Sequence, residues 1–259
     1  MAIYLYCLTD PGCAPAADLR GLGGAPVRVV PLAGSARSAA WVSDLPGELG
    51  PVTPELARIH DRVVRAALSR ETPLPARFGQ SFAGDEALRR ALEARAEAIV
   101  HALERVRGGV EMTVRVLLSE PGSAAREGDT TGDAAGRDRA SSATGDLAPG
   151  GPGGGAPVGV GRAYMDRLRD RQQGSAALRR KAEFLQARVS RAVDAVVREE
   201  VCSTVMPGTH SFSLSHLVAR EAVGQYRLAV DSLVQGDPSL RLLVSGPWSP
   251  YSFTRISDA

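Results

Sequence analysis

A long stretch from Ser119 to Gly159, SEPGSAAREGDTTGDAAGRDRASSATGDLAPGGPGGGAPVG, limits what this chain can fold into more than any other feature. It is built from Gly, Ala, Ser, Asp and Pro, and Leu147 is its one large aliphatic side chain apart from Val158 at its edge. Such a composition cannot bury enough apolar surface to offset the entropy of ordering the chain, so the segment is expected to be disordered. It reads as a tolerated surface insertion or as a regulated tether; the insertion is the simpler account, because lengthening a surface loop costs little. Any core must come from the residues on either side.

Ahead of this stretch, strands and helices mix. AIYLYCLT (2–9) and VRVVPLA (27–33) are aliphatic and aromatic runs bounded by turn formers, as strands are. Thr53-Pro54-Glu55 supplies an N-cap, a proline at the first helical position and an acid in the first turn, which starts a helix reaching about Ser69. A second helix is expected over 85–107, with Leu88, Leu92, Ile99, Leu103 and Val106 as its apolar stripe. The proline-broken segment 74–82 between the two helices suits a strand, and VEMTVRVLL (110–118) a strong one.

After the stretch, a helix is expected from Arg162 to about Val201, with a possible break at Gly174-Ser175. Leu178, Ala182, Leu185, Val189, Ala192 and Val196 recur in alternating steps of four and three, the seam of a helical pair. Strands near 202–206 and 212–218, a helix over 221–234 and a strand from 240 to 244, resuming near Tyr251, complete the order β-α-β-β-α-β. That is the order of a ferredoxin-like unit, an antiparallel sheet backed by two helices. The fold class is therefore α+β with two domains: 1–108, and a modified ferredoxin-like domain of 109–118 and 160–259, with 119–159 inserted in it.

Composition narrows the function. The formal charge is +2 over 259 residues, so no global basic field recruits nucleic acid or an anionic membrane. Lys181 is the only lysine and every other cation beyond histidine is arginine. With alanine and glycine also abundant, that bias reflects a G+C-rich genome before it reflects phosphate binding. Cys7, Cys13 and Cys202 are odd in number and form no C-x-x-C, which suits a reduced cytoplasm. No run of about 20 apolar residues suggests a membrane span, and the first residues do not read as a signal peptide. The strand VEMTVRVLL carries no aromatic residue on which an RNA base could stack.

Catalytic constellations are missing from the sequence. His60 and His101 lie on expected helices without a second ligand one turn away, and His210 and His216 are six residues apart, so no metal is expected. Neither a P-loop, a G-x-S-x-G, an H-E-x-x-H nor a dinucleotide fingerprint occurs in its required context. Cys202 beside Glu199-Glu200 should have a raised thiol pKa, the wrong direction for a nucleophile. No cofactor and no small-molecule substrate are expected.

Five segments are left that no catalytic template explains: AIYLYCLTD (2–10), PLPARFGQSF (73–82), GGVEMTVRVLL (108–118), GRAYMDRLRDR (161–171) and GPWSPYSF (246–253). In that order they resemble the motifs of the gas vesicle accessory family GvpL/GvpF, whose signature includes LPxRFG and a C-terminal GPWPPYSF. The resemblance spans nearly the whole chain outside 119–159. It implies a cytoplasmic, non-enzymatic, two-domain α+β protein with a modified ferredoxin C-terminal domain, needed to form gas vesicles. The implied partners are a GvpA-like hydrophobic shell protein and other vesicle accessory proteins, with neither nucleic acid nor membrane among them. Arg77, Phe78, Trp248, Tyr251 and Phe253 are the candidate partner-binding residues. For the three C-terminal aromatics the simpler role is burial of a terminal strand, and for Arg77 a hydrogen-bonded or ionic staple between domains ranks ahead of partner contact. A coiled-coil protein pairing its 178–196 seam in trans, or an enzyme on a ferredoxin-like scaffold, are the competing readings.

Overall fold

A computed structural model of the chain describes residues 1–32, 38–45, 47, 51, 53–118, 158–203 and 211–254, with backbone alone over 158–175. Two compact units are distinguished, one of Met1–Leu117 with Phe184–Ala259, the other of Leu118–Glu183. Of the second unit, the described part beyond Leu118 is the helical stretch 158–183. Most of the expected disordered segment, 119–157, lies outside the described residues, as does His210.

The first unit holds two antiparallel sheets. Strands β1 (Ala2–Thr9), β2 (Val27–Pro31), β3 (Ala39–Leu45), β4 (Leu74–Pro75) and β5 (Ser81–Phe82) form the first, in the order β2-β3-β1-β4, with β5 also pairing β1. Strand β1 is buried on both faces, and a bulge between Leu5 and Cys7 divides its side chains. Ile3 and Leu5 face one apolar cluster and Tyr4 and Tyr6 the other; after the extra residue, Leu8 joins the first group and Cys7 the second. Helix α1 (Pro54–Leu68) begins as its sequence dictates, with Thr53 Oγ1 accepting from the Leu56 N–H at 3.3 Å.

Three local differences from the sequence reading stand out in this region. Strand β3, unread in the sequence, is almost wholly buried between β2 and β1, with Trp41 inaccessible to solvent. Segment 74–82 is two dipeptide strands joined by a turn. The helix expected over 85–107 is two helices, α2 (Asp85–Glu93) and α3 (Ala96–Val106). The break falls where the apolar stripe lapses between Leu92 and Ile99, and it leaves Leu88, Ile99 and Val106 all fully buried.

The second sheet contains β6 (Gly109–Leu117), β7 (Val197–Ser203), β8 (Ser211–Ala219) and β9 (Arg241–Trp248) in the order β7-β8-β6-β9, every pair antiparallel. Helix α4 (Val158–Val193) connects β6 to β7, and α5 (Val223–Gly236) connects β8 to β9. The first and third strands are central, as the ferredoxin-like order requires, so the α+β class holds. Helix α4 runs unbroken through Gly174 and Ser175 and stops eight residues short of the expected Val201. The residues VREEVCS instead alternate along β7 and pair with β8, where β-branched Val197 and Val201 fit the pleat. On the part of α4 within this unit, Leu185, Val189 and Val193 are the buried positions. Strand β9 extends to Trp248, and Tyr251–Phe253 form a 3-10 turn rather than more strand.

The two sheets share one core. The cluster containing Ile3, Leu5, Leu8, Leu74, Leu88 and Ile99 continues to Leu217 of β8 and Phe253 after β9, with Val201 packed against it. Polar contacts reinforce the junction: Arg220 donates to the Leu68 carbonyl at 2.6 Å, at the electronegative end of α1, and Thr72 Oγ1 donates to the Gly109 carbonyl at 2.8 Å.

Candidate functional site

At this junction lies an open groove of about 820 Å³. One wall is β1 and β4 with the following residues, including Leu5, Leu8, Leu74 and Arg77; the opposite side is β7 through Val201, Cys202 and Ser203. Leu92 and Arg95, at and just after the end of α2, and Tyr251, Ser252 and Thr254 complete the lining. Two of the expected partner-binding residues, Arg77 and Tyr251, thus stand on one groove although they are far apart in sequence. Tyr251 keeps 38% of its surface exposed there.

Arg77 is exposed and makes no hydrogen bond or ion pair with the described residues. Among the described residues the staple expected of it is not formed. That role falls to Arg220 and to Arg105, which donates to the Phe253 carbonyl. Phe78, next in sequence, turns away from the groove: its ring lies 6.0 Å from Tyr4 and 5.7 Å from His60, in the cluster beneath α1. There the Gly79 N–H donates to Tyr4 Oη at 3.0 Å, and Tyr4 Oη meets His60 Nδ1 at 2.9 Å. Burial pushes the Tyr4 hydroxyl up to about 12 and the His60 imidazole below its ordinary value, so both groups are neutral at pH 7.

The C-terminal aromatics are held separately. Gly246 has φ 115°, and a Cβ there would sit 2.7 Å from the Glu111 carbonyl oxygen, so only glycine fits where β9 crosses β6. Trp248 is half-buried under Arg65, whose guanidinium carbon is 4.4 Å from the ring centroid. Ser252 donates through its N–H and its hydroxyl to the buried Glu111 carboxylate, at 2.8 and 2.7 Å. Phe253 is 1% exposed in the shared core. Of the five expected residues, Arg77 and Tyr251 line the groove, Phe253 lies in the core, and Phe78 and Trp248 pack against other elements.

A second polar constellation went unread in the sequence. His216, fully buried on β8, contacts Tyr226 Oη of α5 through Nδ1 at 2.7 Å and Glu200 Oε2 of β7 through Nε2 at 3.0 Å. Glu200 also accepts from Ser190 Oγ at 2.6 Å and Gln186 Nε2 at 3.0 Å, both on α4. Burial pushes the Glu200 carboxyl up, but the Ser190, Gln186 and His216 hydrogen bonds outweigh it and hold the group below the usual range. The His216 imidazole is lowered by burial despite that carboxylate. The network ties α4 and α5 to the sheet and is closed to a substrate, since His216 and Tyr226 have no exposed surface. Cys202 has its thiol pKa raised by burial and by Glu200, in the direction the sequence suggested. Among the described residues no three His, Cys, Asp or Glu side chains are grouped to hold a metal, and no helix is long and apolar enough to cross a membrane.

Comparison with known proteins places this architecture. The family model described as "Gas vesicle synthesis protein GvpL/GvpF" matches residues 2–255. Gas vesicle protein L of Streptomyces sp. (strain CB03234) is 28% identical, the match covering 98% of this chain and 93% of the relative. Gas vesicle protein F of the same organism is also 28% identical, over 98% of this chain and 99% of its own. The crystal structure of GvpF from Anabaena sp. PCC7120 superposes with a TM-score of 0.72 at 16% identity, covering 99% of this chain and 97% of that one. GvpF from Microcystis aeruginosa gives 0.70 at 17% identity, covering 98% and 99%.

Proposed function

Because the chain belongs to the gas vesicle synthesis protein family GvpL/GvpF, we propose that it is a non-enzymatic assembly factor of gas vesicles. In this reading it works in the cytoplasm and holds the hydrophobic, GvpA-like shell subunit, together with other accessory proteins, while the shell is built. The observation that carries the reading is the groove at the sheet junction, where Leu92, Val201 and Tyr251 present part-exposed apolar side chains on an open face, over a floor of buried Leu5, Leu8 and Leu74. A subunit with a large apolar face aggregates unless that face is covered, and a groove of this lining covers part of it. The absence of catalysis in this proposal is supported by the His216, Tyr226 and Glu200 contacts, which bind these groups to one another away from the groove.

The test is co-expression of tagged chain with the shell protein of the same genome, reading the soluble, co-purifying shell protein. Specific retention is expected. A folded chain that retains none, with the other vesicle proteins present, would refute direct capture.

A further inference from the structure

The groove carries charge as well as apolar surface. Arg77 and Arg95 stand among its lining residues, Arg95 already engaged, and among the described residues no carboxylate does. Three described acids beside its lining are engaged elsewhere. Glu111 accepts both hydrogen bonds of Ser252, Glu199 lies 3.7 Å from Arg105, and Glu200 serves Ser190, Gln186 and His216. Arg77 itself has no partner among the described residues.

A purely apolar occupant would strip water from that guanidinium and give nothing back, which is unfavourable for any buried or half-buried charge. The occupant must therefore bring an acceptor. A carboxylate suits best, because its two oxygens match the planar fork of arginine. Gln80 adds an exposed neutral amide along the same lining, suited to the backbone of a bound peptide, whereas Ser203, Ser252 and Thr254 spend their hydroxyl protons on Ser213, Glu111 and Tyr251.

We infer that the groove takes an apolar segment of the shell subunit that carries an Asp or Glu side chain, seated on the part-exposed Leu92, Val201 and Tyr251 with its carboxylate on Arg77. The inference rests on the reading that this chain holds the shell subunit, and it makes that capture selective. An apolar segment without an acid is disfavoured by the uncompensated arginine, so membranes and unrelated unfolded chains compete poorly.

Four tagged variants co-expressed with the shell protein test it: Arg77→Glu, Arg77→Gln, Arg77→Lys and Arg115→Glu. Arg115 is an exposed arginine of β6 that does not line the groove, so its variant controls for overall charge. Since Arg77 bonds to no described residue, its variants should melt like the parent, and retention is compared at matched folded fraction. Retained shell protein should fall about ten-fold or more in Arg77→Glu, less in Arg77→Gln and least in Arg77→Lys, with Arg115→Glu unchanged. Changing the acids of the shell protein one at a time to lysine should find one that restores retention to Arg77→Glu. Parental retention in all Arg77 variants would overturn the inference and leave the capture reading standing. An equal loss in Arg115→Glu would likewise overturn it, by reducing the effect to net charge. No retention by the parent chain would remove the capture reading and this inference with it.

Discussion

Replacing Phe253 by alanine tests whether the C-terminal turn is part of the core or an ornament on it. The ring is 1% exposed, six residues from the C-terminus, in the cluster that joins both sheets. Returning a buried phenylalanine side chain to water costs about 1.5–3 kcal/mol. The cavity left among neighbours that relax only partly brings the total to about 3–5 kcal/mol. With a urea dependence of roughly 2–3 kcal/mol per M, the unfolding midpoint should drop by about 1–2.5 M. Fluorescence follows it well, because Trp41 reports the interior of the first sheet and Trp248 the C-terminal segment. Phe184→Ala is the matched control; that ring is 63% exposed and should change stability by no more than about 0.5 kcal/mol. A midpoint shift below about 0.3 M in Phe253→Ala would refute the account, since such a shift is far below the expected loss. So would a change seen by Trp248 while Trp41 unfolds as in the parent, because the turn would then open independently of the core.

Three further outcomes follow from the packing. Gly21→Ala would place a Cβ 2.1 Å from Tyr6 Oη and disrupt that hydroxyl's bonds to the Leu22 N–H and Ser43, costing about 1–3 kcal/mol. Combined with Tyr6→Phe, the two losses should add to less than their sum in a thermal denaturation cycle. Both His60 and His216 are lowered by burial, so the unfolded chain takes up their protons first as pH falls below the ordinary 6.5. Their contribution to stability is complete above that value and declines as pH falls through it; urea midpoints at pH 7.5, 6.5 and 5.5 should fall in the parent and flatten in His60→Gln/His216→Gln. The depressed carboxyl of Glu200 acts only below its ordinary 4.5 and leaves this window undisturbed. Arg65→Ala should cost about 0.5–1 kcal/mol and shift Trp248 emission to the red, checked in a Trp41→Phe background.

Much of the fold was legible because local and tertiary preferences agree. VEMTVRVLL became β6 and SFSLSHLVA became β8, where apolar residues alternate against polar ones along a half-covered sheet. Thr53-Pro54-Glu55 started α1 as its capping chemistry requires. Strand β3 escaped notice because AAWVSDL is buried on both faces and opens with two alanines, leaving neither alternation nor β-branched richness to read. The end of α4 was misplaced because VREEV satisfies a helical pattern as well as a strand; the pairing edge of β8 decides it, and that edge is a long-range fact.

The candidate site divides along the same line. The motifs located Arg77 and Tyr251, but no sequence rule says that residues so distant line one groove. A neighbouring aromatic, Phe78, faces the opposite way because adjacent residues after β4 project to different sides. The Glu200–His216–Tyr226 contacts join three elements, and the signal that could have flagged them was a histidine in the buried register of an alternating strand.

The most direct test of shell-subunit capture at the groove is photo-crosslinking in cells that are forming vesicles. A photoreactive residue is placed at Gln80, an exposed position lining the groove, and in a second strain at Leu228, 68% exposed on α5 outside it. A crosslink to the shell protein from Gln80, with none from Leu228, is the predicted result. A crosslink from Leu228 with none from Gln80 would contradict the account and move the partner surface to α5.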